Sequence, residues 1–371
     1  MHQPLSESMP EVDRLMKQAI VDSVFPGAVL LVGRGNRLLM HAAYGTANLF
    51  TQQPMTTATV FDLASLTKPL ATTLALMRLH QQGRLDVNQR LGTILPAFAA
   101  SDKSSVTIAQ LLSHTSGLPD YRPFYLQLAT RPAPERKAML REWLVKEPLL
   151  SPPGERALYS DLDFMILEWV VEAVSDRRLD QFVADEIYAP LGVDSLFFID
   201  LNRPPPAGPY AATEQCGWRG RLMAGEVHDE NAHVLGGVAG HAGLFGTAAG
   251  VHGVLSELLK AYHQNTGGRL FDRRTVQRFF RRVPGTDKAL GFDMPAPVAP
   301  SCGLFFPPDS IGHLGFTGTS FWMHLEQSLD VILVTNRVHP TRANIAIRAF
   351  RPLIHDVVMG AIGAQPPAAA G

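Results

Sequence analysis

Cysteine is scarce in this chain: Cys216 and Cys302 are the only two in 371 residues. Two are too few for a disulfide framework or a zinc cluster; one bridge between them is the alternative, and two free buried thiols are the simpler reading. Net charge is nearly absent as well. The 33 basic and 34 acidic side chains leave a formal charge of −1. A protein that grips a phosphate backbone needs a basic excess or stripe, so no nucleic-acid partner is expected. Charged residues make up 18% of the chain and hydrophobic ones 46%, which argues against a disordered acidic protein. No apolar run approaches the roughly 18 residues of a membrane span. The opening segment MHQPLSESMPEVDRLMKQ is polar and has no basic start backed by an apolar stretch. The chain as it stands reads as cytoplasmic; one trimmed of a leader would be periplasmic or secreted. A chain this long buries most of the surface its unfolded form exposes, so it needs no covalent or metal staple.

Periodicity supplies the elements. Val12, Leu15, Met16, Ala19 and Ile20 recur at helical spacing, which predicts an amphipathic helix over 11–24. Two apolar runs, 28–32 and 38–44, flank Gly33-Arg34-Gly35-Asn36 and predict a β-hairpin. Helices are expected near 66–82, 107–113, 136–146, 161–174 and 179–188. Strands are expected at 319–324 and 330–336, and a final helix over 343–361. Between them, Leu235 to Gly246 carries five glycines in twelve residues. Strands thus cluster at both ends of the chain with helices between. The fold class this predicts is α+β, an α/β sandwich. An antiparallel sheet built from both ends is flanked by the N- and C-terminal helices, with a helical domain inserted. The expected division is 1–60 plus 235–371 for the sheet and 61–234 for the helical part, with the active site in the cleft between them.

Three segments carry chemistry. The first is Ser65-Leu-Thr-Lys68-Pro69 ahead of an apolar run. Proline is poorly tolerated deep in a helix, so a helix through residue 80 should begin close to Ser65. Ser65 and Lys68 then project to one side, near the positive end of the helix dipole. A serine hydroxyl is a weak nucleophile until a base takes its proton, and lysine can serve where burial pushes its pKa down. Standing alone, the pattern also describes an ordinary helix start. The second segment is Tyr159-Ser160-Asp161, a turn leading into a helix. A tyrosine there is either a packed aromatic or a proton relay tuned by a nearby cation. The third is Gly312-His313-Leu314-Gly315-Phe316-Thr317-Gly318, ahead of the late strands. Its glycines mark close approach of a backbone or a ligand, and its N–H groups suit half of an oxyanion hole. His228, Asp229, Glu230, His233 and His241 are metal-ligand types, but their spacing fits no zinc pattern. No phosphate-binding glycine motif and no G-x-S-x-G occurs. No cofactor and no metal are expected.

In order and context these segments resemble the serine β-lactamase and penicillin-binding protein superfamily. The resemblance is strongest to the branch of class C β-lactamases, D-Ala-D-Ala carboxypeptidases and related esterases, and spans nearly the whole chain. Leu111-Leu-Ser-His-Thr-Ser-Gly-Leu-Pro119, Pro190-Leu-Gly192 and the run from Val227 to Leu244 are similar to segments of that branch. The resemblance implies the β-lactamase/transpeptidase-like fold. It implies that Ser65 is the acyl-accepting nucleophile, that Lys68 relays its proton and that Tyr159 is the partner base. Asp161, His313, Gly315 and Phe316 then belong to substrate binding and the oxyanion site, with the N–H of Phe316 beside that of Ser65. Two positions depart from the pattern. Asp161 stands where Asn is usual, and an ionised Asp can only accept hydrogen bonds. His313-Leu314-Gly315 stands where Lys-Thr-Gly is usual, and an ordinary imidazole is only partly charged at neutral pH. Both weaken recognition of a substrate carboxylate. The expected activity is therefore a broad esterase, amidase or peptidase working through an acyl-enzyme, rather than an efficient β-lactamase. The expected partner is a small ester, amide or peptide. The competing expectation is a catalytically weak peptidoglycan- or penicillin-binding protein.

Overall fold

The computed structural model describes residues 9–35, 37–264 and 268–364. Strands β1 (Gly27–Arg34), β2 (Arg37–Asn48) and β3 (Gln53–Pro54) come first, and β4 (Phe61–Asp62) leads into the Ser65 turn. The middle of the chain adds β5 (Leu196–Phe198), β6 (Gln215–Cys216), β7 (Arg221–Leu222) and β8 (Leu244–Gly246). Late in the chain come β9 (Lys288–Ala289), β10 (Phe292–Asp293), β11 (Ile311–Leu314), β12 (Ser320–His324) and β13 (Leu329–Thr335). The main sheet has the order β3-β2-β1-β13-β12-β11-β10-β9 and is antiparallel. Val29 of β1 faces Val334 of β13 on one side and Ala43 of β2 on the other. The α+β class and the joining of both chain ends in one sheet are as expected. Asn36, in the hairpin turn, lies outside the described residues.

Strand side chains alternate between faces, so the unbroken apolar runs of β1 and β13 require cover on both sides. Ala28, Leu30, Val32, Val331 and Leu333 pack with Val12, Met16, Phe350, Ile354 and Val358 of the terminal helices Pro10–Val21 and Ile347–Ala361. Val29, Leu31, Ile332 and Val334 join the larger core, which takes in Val251, Val254 and Leu258 of the helix Ala248–His263. That helix, capped by the Thr247 side chain, was not anticipated. Its apolar spacing was masked by the glycine-rich stretch before it.

The segment expected as one helix over 66–82 is three pieces. A 3-10 turn, Ala64–Leu66, carries Ser65; a π-helical stretch, Lys68–Thr73, follows; only Leu74–Gln81 is regular α-helix. Pro69 brings no N–H to the ladder, so the early turns cannot close in the α pattern. The helix expected over 179–188 is likewise α-helical only over Leu179–Val183 before widening. The other predicted elements sit within a few residues of their expected bounds. Cys216 and Cys302 are both buried and carry free thiols, with no disulfide between them. Among the described residues no helix is long and apolar enough to cross a membrane.

Candidate active site

β4 pairs with β8, so Asp62 leaves the small sheet already anchored where the chain turns toward Ser65. The Asp62 carboxylate then ties two segments together. Oδ1 accepts the Ala64 N–H at 2.8 Å and Oδ2 accepts the His228 N–H at 2.6 Å. Ala64 has φ +48°, a strained value for a residue with a Cβ, and this clamp holds it there. Thr317 Oγ donates to Asp62 O at 2.8 Å and Thr319 Oγ donates to Leu63 O at 3.1 Å. The β11–β12 turn is thereby bolted to the Ser65 turn. Gly315 sits at the joint: a Cβ there would lie 2.0 Å from Thr319 Oγ1 and 2.8 Å from Leu63 O. The expected close backbone approach is real, and its partner is the Ser65 turn.

Ser65, Lys68 and Tyr159 meet. Lys68 is fully buried, and its Nζ donates to Ser65 Oγ at 3.2 Å and to His241 O at 3.0 Å. It also lies 2.7 Å from Asp161 Oδ1 and 5.0 Å from the Tyr159 ring centre. Burial works to lower the Lys68 pKa, but the Asp161 carboxylate and the Tyr159 oxygen outweigh it and hold the ammonium above its ordinary value. The expectation of a lysine depressed by burial is therefore corrected, because Asp161 is its counter-ion. Burial raises the Tyr159 pKa, and hydrogen bonds with Lys68 and Ser65 pull it back. Asp161, expected among the substrate-binding residues, lines the cleft, and one of its oxygens is committed to Lys68.

His313 needs a second correction. It lies on β11 but is only 2% exposed. Its Nδ1 is 2.8 Å from Leu314 O and its ring centre is 6.1 Å from that of Tyr159. Burial, seconded by Lys68 and opposed by Asp293, pushes its pKa down to about 4. The ring is neutral and sits behind Tyr159 rather than on the cleft wall.

The cleft itself measures about 370 Å³ and is walled by Ser65, Tyr159, Asp161, Phe316, Tyr121 and Arg342, among others. Arg342 was not singled out in the sequence. Its guanidinium pairs with Glu214 at 2.5 Å and Glu230 at 2.6 Å. Burial works to raise the Glu214 pKa, but the His228 and Arg342 contacts bring it down to about 2. Phe316, 48% exposed, stacks on the His228 ring at 5.6 Å and carries the Arg337 guanidinium 4.5 Å from its ring centre. The histidines flagged in the sequence serve the loops: His228 Nε2 meets Glu214 at 3.0 Å and His241 Nε2 meets Asp229 at 3.0 Å. Among the described residues no group of three or more His, Cys, Asp or Glu is placed to hold a metal ion.

The beta-lactamase family pattern matches residues 12–354. The chain belongs to the beta-lactamase family. Among curated relatives, a "putative D-alanyl-D-alanine carboxypeptidase" of Salmonella typhi is 32% identical over 358 residues, covering 87% of this chain and 82% of the relative. Solved structures confirm the β-lactamase/transpeptidase-like fold at lower identity. Simvastatin synthase (LovD) from Aspergillus terreus superposes with TM-score 0.74 at 18% identity, over 98% of this chain and all of that one. EstCE1, described as a hydrolase with promiscuous acyltransferase activity, gives 0.70 at 22% identity over 92% and 97%. The octameric penicillin-binding protein homologue from Pyrococcus abyssi gives 0.73 at 17% over 98% and 79%. The protein is thus a hydrolase of the β-lactamase and penicillin-binding protein superfamily.

Proposed function

We propose that the protein is a serine hydrolase that cleaves a small ester, amide or peptide through an acyl-enzyme on Ser65. What supports this most is one contact set: Lys68 Nζ lies 3.2 Å from Ser65 Oγ and 2.7 Å from Asp161, with Tyr159 bonded to both Lys68 and Ser65. Lys68 rests as a cation, so in this reading it is not the first proton acceptor. Its charge lowers the cost of a phenolate at Tyr159. In the enzyme form whose Tyr159 has already released its proton to solvent, the phenolate takes the Ser65 proton as Oγ bonds to the carbonyl carbon, and gives it to the leaving group as that carbon's bond to it breaks. Water then attacks the acyl carbon, its proton returns through Tyr159, and Ser65 Oγ is restored. The N–H groups of Ser65 and Phe316 receive the oxyanion. The Phe316 N–H donates to no backbone carbonyl of the described residues, which leaves it available for this. We also propose that the cleft divides a sheet unit, 1–60 plus 235–371, from a helical unit, 61–234.

Neutral substrates are favoured over carboxylate-bearing β-lactams. Of the basic groups beside the cleft among the described residues, Lys68 is paired with Asp161, Arg342 with two glutamates and His241 with Asp229, while His313 is uncharged and off the wall. A carboxylate entering the cleft must compete with an acid already in place. A D-Ala-D-Ala carboxypeptidase is the second reading, favoured by the name of the Salmonella relatives and by Arg342 on the wall. The test is to incubate wild type and Ser65→Ala with a p-nitrophenyl ester, nitrocefin and a labelled penicillin. Ester turnover lost in Ser65→Ala is expected. Label on Ser65 without turnover of any substrate means a binding protein, and neither label nor turnover rejects the reading.

A further inference from the structure

The helix Ile347–Ala361 covers the face of the sheet remote from the larger core, and most of its buried side chains are apolar. Arg351 and His355 are the exceptions. Arg351 is only 7% exposed, the charges that bear on it are those of Arg337 and Arg348, and no ion pair joins it to a carboxylate among the described residues. Burial and those two cations push its pKa down to about 9. His355, one turn on, offers no compensation: burial and Arg351 push its pKa down to about 3, so it is neutral. A buried cation without a counter-ion is costly, and an apolar residue would serve the helix better.

What Arg351 touches explains its presence. One guanidinium nitrogen donates to Gly315 O at 2.8 Å and to Thr319 O at 2.9 Å. These are the two ends of the β11–β12 turn, which also closes on itself: Gly315 N–H donates to Thr319 O at 2.7 Å and Gly318 N–H to Gly315 O at 3.1 Å. Arg337 Nε holds the next carbonyl, Phe316 O, at 2.8 Å. In a trans peptide the C=O and the following N–H point in opposite directions. The cation that holds Gly315 O therefore directs the Phe316 N–H away from the helix, toward the cleft that Phe316 shares with Ser65.

We propose that Arg351 is a positioning residue of the oxyanion site: it fixes the Gly315–Phe316 peptide and polarises it, so that the Phe316 N–H becomes a stronger donor. A positive charge on the carbonyl side pulls electron density from the amide nitrogen. The effect needs no motion during the reaction, which is what makes an oxyanion donor effective. The proposal rests on the acyl-enzyme reading.

The test uses the full chain with Arg351→Gln and Arg351→Lys, each checked for a cooperative thermal transition. Two constants are read: kcat and KM on a p-nitrophenyl ester, and the inhibition constant of an arylboronic acid. The boronate forms a tetrahedral adduct on serine whose oxygen occupies the oxyanion position. Loss of one oxyanion donor outright costs about 100- to 1,000-fold in kcat, so loss of its support should cost about 10- to 100-fold in Arg351→Gln. KM should stay within about threefold, and boronate affinity should fall by the same factor as kcat. Arg351→Lys should lie between, since an ammonium keeps the charge but reaches the two carbonyls less well. A folded Arg351→Gln with kcat and boronate affinity within about twofold of wild type overturns the proposal, as does an effect confined to KM. If Arg351→Gln does not fold, Arg351→Lys with both constants unchanged does the same. Wild-type labelling separates the two layers: no covalent adduct on Ser65 overturns the acyl-enzyme reading, whereas an adduct with unaffected variants overturns only the role of Arg351.

Discussion

Replacing Asp161 by Asn should change how stability depends on pH, by freeing the buried Lys68 from its counter-ion. Lys68 is fully buried, and Asp161 Oδ1 lies 2.7 Å from its ammonium. At 4 Å and an effective dielectric of about 20, two unit charges interact by about 4 kcal/mol, and this pair is closer than that. Since 1.36 kcal/mol is tenfold in a protonation equilibrium, removing the carboxylate should shift that of Lys68 by about a thousandfold toward the neutral amine. In the parent, the folded Lys68 pKa is held above its unfolded value. Its contribution is therefore fully present below the ordinary lysine range and fades only as pH rises through the raised value. No slope from this group is expected between about pH 6 and 9. In Asp161→Asn, burial is left largely unopposed and the folded pKa drops below the unfolded one. The unfolded chain then binds at least as many protons, so stability should hold or climb as pH rises from about 9 through the ordinary lysine range, where the parent's falls. Asp161 also opens the helix Asp161–Ser175. Loss of its charge near the helix dipole costs about 0.3–1 kcal/mol at every pH, so the slope and not the offset is the readout. The assay is thermal unfolding by circular dichroism at several pH values. Parallel curves for parent and variant would refute the argument that Asp161 is what keeps Lys68 charged.

Three further outcomes are expected. Gly315→Ala should destabilise by about 1–3 kcal/mol and depress ester turnover more than substrate affinity, because its Cβ meets Thr319 and the backbone of Leu63; urea unfolding and kcat against KM read the two effects. Arg342→Met should leave Glu214 and Glu230 without their cation, lowering kcat/KM for a carboxylate-bearing ester about tenfold relative to a neutral one, and a flat ratio excludes Arg342 from substrate selection. Asp163, fully buried, is pushed well above the usual carboxylate range by burial. It keeps its proton while the unfolded chain loses it, so its cost to stability grows as pH rises to the folded value. Asp163→Asn should remove that cost, read as a variant-minus-parent difference in unfolding temperature that grows as pH rises above the ordinary aspartate range; the titration of His114 is common to both chains.

Features set by neighbours along the chain were legible before any coordinates. Ser65 and Lys68 are three residues apart, and Pro69 confines where their helix starts. The hairpin and the two late strands announce themselves by short apolar runs. What escaped depends on partners far apart in sequence. Asp161 is separated from Lys68 by 93 residues, and Arg342 from Glu214 by 128. The same distance problem hid Arg351, whose role is visible only once its helix lies behind the β11–β12 turn. For His313 the residue type was known but its depth was not, and depth is what decides its charge. The helix Ala248–His263 was missed for a different reason: its first turn borrows alanine and glycine from the loop before it, and these blur the apolar spacing that follows.

The central position of β1 sets a constraint on synthesis. Its neighbours are β2, made at once, and β13, made about 300 residues later. Until β13 emerges from the ribosome, one edge of an almost wholly apolar strand has no partner. The nascent chain can complete the Lys68 pocket once His241 is made, but the turn that supplies Phe316 arrives only with the last segments. Closing so long a loop is slow, and an open apolar edge invites pairing with other chains. The completed cleft is therefore among the last features of the molecule to form, and a chain that stops before β13 should aggregate rather than hydrolyse.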